Sequence, residues 1–319
     1  MRLLAKLVVG LAFVAGSVTA VPAGAAVPPF TDTITNAYLS NPHTGMVIDV
    51  SGARRDATAP IWTWPFHGEL NQQWAVTRVG ATQYYTIAAL HSGLCLDVAN
   101  GNWNNGTRVW QWSCHGGDAQ LWKPEVFAVD AYGYSTFRLR NKGSNRCLEI
   151  PGGVNLHGAV LAIWECHAGR NQEWRQGNFL SNPSRAHVAD ISGWNRATGT
   201  QGRMWTFHGG ANQELFKTVA PGSPAWRFEF FHSGHCLGLL QRRSDNGIAV
   251  GQVACDLEDR FQWWLPLLSG LDRFGQPVRQ FRNVATGKCL DIWVHDQPVG
   301  ARLLQWDCHS GWNQQWRFA

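Results

Sequence analysis

"GWNQQWRFA" (residues 311–319) and "LNQQWAV" (residues 70–76) carry the same four-residue word, Asn-Gln-Gln-Trp, at distant points of a 319-residue chain. A word repeated at such a distance is a search key, because a fixed period decides the architecture before any local propensity does. Gln-x-Trp recurs at Gln72–Trp74, Gln120–Trp122, Gln172–Trp174, Gln262–Trp264 and Gln314–Trp316, and a degraded copy reads Gln213-Glu214-Leu215. The third positions step by 48, 52, 41, 49 and 52 residues, while copies three apart are separated by 141, 142 and 142. A tandem of two triplets explains the second regularity; six equivalent repeats would not require it.

The cysteines follow the same frame. Eight are present, and in consecutive pairs each separation is 19: Cys95 with Cys114, Cys147 with Cys166, Cys236 with Cys255, and Cys289 with Cys308. Repeats one and four have none, and carry Val47 with Phe66 and Val188 with Phe207 at the aligned places. Connectivity is normally open from sequence, but one bridge per repeat is the economical assignment. Zinc is the competing reading of the Cys-His dipeptides, and the chain lacks the short ligand spacing that zinc needs.

Disulfides call for an oxidising compartment. Arg2 and Lys6 precede the apolar run "LVVGLAFVAG", too short to cross a bilayer, and small-residue patterns end at Ala20 and Ala25. Residues 1–25 are therefore expected to be a secretory signal peptide, and the mature chain is expected to be extracellular with no membrane span. The formal charge of +5 is small and scattered, which excludes a nucleic-acid binder. With 15% charged residues, 18 tryptophans and 34 glycines, the composition is that of an aromatic-rich packed protein.

Eight residues before the second cysteine position stand Gly106, Gly158, Gly199, Gly247 and Gly300, with Thr58 in the first repeat. β-branched and aromatic runs such as "TRVWQWSC" follow, so each glycine reads as a turn feeding a strand. No stretch keeps a helical period. The expected fold is all-β, with strands too short to bury a core inside one repeat, so that three repeats share one. The recurring Trp is the natural core donor.

The segment "CLDI…LLQWDCHSGWNQQW" (Cys289 to Trp316) resembles the ricin B-type lectin repeat, and the resemblance extends over about residues 30–319. It implies two tandem β-trefoils, residues 30–177 and 178–319, with the Gln-x-Trp tryptophans chiefly structural. It also implies shallow sugar pockets. Each takes an Asp two residues after the first cysteine position, an aromatic two before the second, and the Asn-Gln that opens the Gln-x-Trp word. A pyranose lays its C–H face on an aromatic ring, while its hydroxyls pair with carboxylate and amide groups.

Carried over repeat by repeat, the pattern is intact in repeat one (Asp49, Trp64, His67, Asn71, Gln72), repeat four (Asp190, Trp205, His208, Asn212, Gln213) and repeat six (Asp291, Trp306, His309, Asn313, Gln314), where Trp312 offers an extra wall. Repeat two keeps Asp97, Trp112 and His115 but has Ala119 for the Asn. Repeat three keeps Trp164, His167, Asn171 and Gln172, but its acid is Glu149, one methylene longer. Repeat five has Gly238, Val253 and Phe261, and its pocket is expected to be dead. The histidines fit a ligand rim and a packed turn equally, and the Gln side chains favour a structural role.

The function expected is non-enzymatic carbohydrate binding, with galactosides and plant-type polysaccharides both open and no cofactor or metal required. A glycosidase needs paired carboxylates, and each intact pocket has one aligned acid. A protein-binding trefoil, such as a protease inhibitor or an envelope-anchored interaction protein, is the alternative.

Overall fold

The computed structural model describes residues 33–129, 135–272, 275–294 and 299–318, so the expected signal peptide lies outside the described residues. Every regular element among them is a strand of two to eight residues or a three-residue 3-10 turn. In each repeat the strand holding the first cysteine position pairs antiparallel with the strand that ends just before the second. Cys95 thus faces Trp112, and Asp97 faces Trp110. Asp49 faces Trp62, Asp190 faces Arg203, and Asp291 faces Leu304 in the same register. That register brings the two cysteine positions together, and all four expected disulfides are formed, with Cα atoms 5.0–5.1 Å apart. No described cysteine is free, so none offers a thiolate for zinc.

The turn before the second strand ties each repeat to another. Thr58 donates its N–H to Gln111 O at 2.9 Å, Gly106 to Ile163 O at 2.9 Å, and Gly158 back to Thr63 O at 2.9 Å. Gly199 donates to Gln252 O at 2.8 Å, Gly247 to Gln305 O at 2.9 Å, and Gly300 back to Met204 O at 2.7 Å. Two closed circuits result, one through repeats one to three and one through repeats four to six. The five glycines have φ between 81° and 89°, the left-handed region that a side chain disfavours. Thr58 occupies the same region at 73°.

Each circuit has its own core. The first gathers around Trp74, Trp122 and Trp174, the second around Leu215, Trp264 and Trp316. The five indoles are fully buried. A buried indole N–H needs an acceptor, and each finds the carbonyl one residue after a first cysteine position: Ile48, Leu96, Leu148, Leu237 or Leu290, at 2.9–3.1 Å. Strand Ile34–Asn41 pairs with Arg175–Gly177, and Leu180–Asn182 pairs with Arg317–Phe318, so the start and end of each set of three repeats meet.

A third cluster, Tyr38, Val47, Phe66, Phe179, Val188 and Phe207, joins the two sets. The four residues aligned with cystines are thus not merely spacers within their own repeats, because they pack across the junction. Gly45 permits that approach: its φ is 68°, and a Cβ would lie 2.6 Å from His208 O.

Candidate functional site

The Gln of each Gln-x-Trp word is a loop staple. Gln72 accepts the His67 N–H at 2.9 Å and donates to Pro65 O at 2.9 Å. Gln120, Gln172, Gln213 and Gln314 repeat both bonds with the corresponding residues. The loop holds the histidine in turn. Nδ1 of His67, His115, His167, His208 and His309 accepts the N–H two residues on, at 2.9–3.3 Å. With Nδ1 an acceptor, the ring hydrogen sits on Nε2, and Nε2 faces the acid of its own repeat. The separations are 3.2 Å to Asp49, 3.4 Å to Asp97, 2.9 Å to Glu149, 3.3 Å to Asp190 and 3.5 Å to Asp291. Turn residue and pocket residue are therefore one role.

The Asn side chains complete the arrangement in repeats one, four and six. Asn71, Asn212 and Asn313 each donate to Oδ2 of Asp49, Asp190 and Asp291 at 2.9 Å. In repeats four and six Gln213 and Gln314 also reach Oδ2, at 2.9 and 2.8 Å. Oδ1 of Asp190 and of Asp291 accepts no hydrogen bond from the described residues. Burial pushes the Asp291 carboxyl above its ordinary value, against the donors around it. In repeat three the longer Glu149 bonds Gln172 at 2.7 Å, while Asn171 turns to Ile150 O instead.

Repeats one and two differ in a way that sequence reasoning missed. The residue facing the acid across the strands is a tryptophan there, and its indole N–H donates to Oδ1: Trp62 to Asp49 at 2.6 Å, Trp110 to Asp97 at 2.7 Å. Trp62 stacks on Trp64 with centroids 4.9 Å apart, and Trp110 on Trp112 at 5.3 Å. The signal was the alternation Trp-x-Trp, which puts both indoles on one face of a strand.

A cavity of about 360 Å³ in repeat one is lined by Asp49, Trp62, Trp64, His67 and Asn71, and also by Glu69. Repeat two, despite Ala119, has one of about 410 Å³ with Asp97, Trp112, His115 and the unforeseen Trp103. Asp118 lines it too, paired with Lys142 at 2.8 Å. Asp49 is the one aligned acid of the repeat-one cavity, and Glu69 adds a second carboxyl from the loop, outside the aligned positions. The wall tryptophans Trp112, Trp164 and Trp205 remain 37–39% exposed. Trp306 lies beside Trp293, 5.7 Å between centroids. Trp312 is half-buried: one side packs against the second core, the Arg185 guanidinium lies 4.5 Å over its ring, and it lines a small cavity with Ile292 and Trp293.

The model of the ricin-type β-trefoil lectin domain-like family matches residues 31–109, 70–164, 126–205, 203–296 and 271–319. The chain belongs to that family. Among solved structures, the designed three-fold symmetric protein ThreeFoil is 32% identical over 44% of this chain and 96% of its own, with a TM-score of 0.41. The hemolytic lectin CEL-III is 18% identical, covering 91% of this chain and 64% of its own, with a TM-score of 0.38. The agglutinin from Abrus precatorius is 17% identical over 92% and 99%, with a TM-score of 0.35.

Proposed function

We propose that this lectin-family protein is a secreted carbohydrate-binding protein, built as two tandem β-trefoils (residues 30–177 and 178–319), that holds glycans or polysaccharides through several weak pockets at once. The two closed hydrogen-bond circuits and the two cores support that division. The carrying observation is the acid held by His and Asn in repeats one, four and six, beside a tryptophan on the neighbouring strand. Donors converge on Oδ2 and hold the carboxylate in place, leaving Oδ1 of Asp190 and Asp291 to accept a sugar hydroxyl, while the Trp face takes the C–H side of the ring. The sugar ligands are Asp49, Trp64, His67 and Asn71; Asp190, Trp205, His208 and Asn212; and Asp291, Trp306, His309 and Asn313. Gln72, Gln213 and Gln314 act from behind them. Asp97, Trp112, His115 and Glu149, Trp164, Asn171 form the weaker pair of sites.

A millimolar pocket corresponds to about −4 kcal/mol; two or three engaged on one polymer raise avidity by about a hundredfold or more. No catalytic role is assigned, because each of these pockets has one aligned acid where a glycosidase needs a pair. A glycan array and polysaccharide pull-down, run beside a folded Asp49→Asn, Asp190→Asn, Asp291→Asn variant, tests the reading. Binding by the native protein that the variant loses supports it and names the sugar class. Binding that survives in the variant and in excess free sugar would point to a protein partner instead.

A further inference from the structure

Repeat four has a second compartment beside its acid. A cavity of about 390 Å³ opens at the junction of the two sets of repeats, between Pro42 and Arg175 of the first and Trp194, Arg196, His208 and Phe231 of the second. His208 belongs to both compartments: its Nε2 is 3.3 Å from Asp190 Oδ2, and its ring lines the cavity. The junction cavity therefore begins one imidazole away from Asp190.

Trp194 is the unusual residue there. It sits four positions after Asp190, where Ala53, Gly101 and Gly153 stand in repeats one to three. All four backbones are left-handed, with φ of 52°, 58° and 63° in the small residues and 56° in Trp194. A bulky side chain in that region is a genuine outlier, and such strain gathers at functional positions. Nor does core packing account for the indole. It is 53% exposed, its centroid is 6.4 Å from that of His208, and it lies over Gly210, where a Cβ would be 2.6 Å from the ring.

The polar chemistry of the cavity is cationic. Arg175 and Arg196 line it, and no carboxylate does among the described residues. Arg175 lies over the Phe231 ring, 5.2 Å from its centroid, and its Nη1 pairs with buried Glu214 at 3.0 Å. That pair occupies one nitrogen of a guanidinium that carries five N–H donors. An exposed indole beside two guanidinium groups fits a sugar ring that bears a carboxylate.

We propose that the junction cavity is a subsite for a uronate, the sugar next in the chain to the one held at Asp190, with Trp194 as its platform and Arg175 and Arg196 as its carboxylate donors. This rests on the carbohydrate reading of repeat four. The test uses glucuronoxylan, polygalacturonate and hyaluronate, each paired with its carboxyl-reduced form, in affinity electrophoresis. The full chain carries Asp49→Asn and Asp291→Asn so that repeat four dominates. The acidic member of a bound pair should be retained about tenfold more strongly, and added salt should shrink the difference. Arg196→Gln, at an exposed position, should lower the ratio severalfold, with Arg175 supplying what remains. Trp194→Gly should weaken retention of the acidic chain without lowering the melting temperature, since glycine relieves the left-handed strain. Equal retention of both members, or a preference that Arg196→Gln leaves intact, overturns the subsite while the neutral-sugar reading stands. No retention of any polymer overturns both.

Discussion

Asp291 shows how a single residue ties pocket to pH. Burial raises its pKa above 3.8, the ordinary aspartate value, although Asn313, Gln314 and His309 pull the other way. A protonated carboxyl donates where the pocket needs an acceptor. In an Asp49→Asn, Asp190→Asn background, sugar binding should therefore fail as pH drops through a midpoint above 3.8; titration calorimetry over an acid series reads it, and a midpoint below that value would contradict the burial argument. The stability sign is opposite. A raised folded pKa gives stability that is full below the unfolded value and lost as pH rises through the folded one. The clustering of Asp, Asn and His in repeats one, four and six was legible because they keep fixed offsets from the cysteine frame. Trp62, Trp110, Trp103 and Trp194 were not, because their roles depend on cross-strand register and on backbone φ, which no spacing reports.

At the scale of the turn and the strand pair, the glycine rule and its exception make a test. Thr58 is exposed and holds φ of 73° where the other five repeats use glycine. A β-branched residue there is strained by about 1–2 kcal/mol, and glycine returns part of that gain as extra freedom in the unfolded chain. Thr58→Gly should thus raise stability by about 1 kcal/mol in a urea titration, and a loss would show that the threonine makes a contact worth more than its strain. The disulfides give a second test. Repeat five keeps Cys236–Cys255 while Gly238, Val253 and Phe261 stand where the proposed sugar-facing set lies in other repeats. Serine at both cysteines should cost about 3 kcal/mol and leave glycan binding unchanged, since scaffold and pocket are separate in that repeat. The all-β class and the one-bridge-per-repeat pairing were legible because both follow from one short period, whereas the strand order was not.

Over the whole molecule, the sequence announced a pairing without its meaning. Val47 with Phe66 and Val188 with Phe207 stand in for cystines, 141 residues apart. A cystine would commit those positions to its own repeat; apolar side chains leave them a face for the other set. In the fold Phe66 meets Phe207 at 5.3 Å, and Phe179 bridges them, 5.0 Å from Phe66 and 4.9 Å from Phe207. Tyr38 joins the cluster with its hydroxyl pKa pushed up to about 12 by burial. Arg317 reaches across as well, donating to Gly68 O at 2.7 Å and pairing with Asp272. Each set has a complete core, so coupling between them rests on this junction. Removing one such ring costs about 3–5 kcal/mol, comparable to the stability of a small domain. The native chain should therefore melt in one calorimetric transition, and Phe66→Ser with Phe207→Ser should split it into two while both cores persist. A single transition in that variant would move the coupling from the aromatic cluster to the Arg317 link, and Arg317→Met would then be the substitution that separates them.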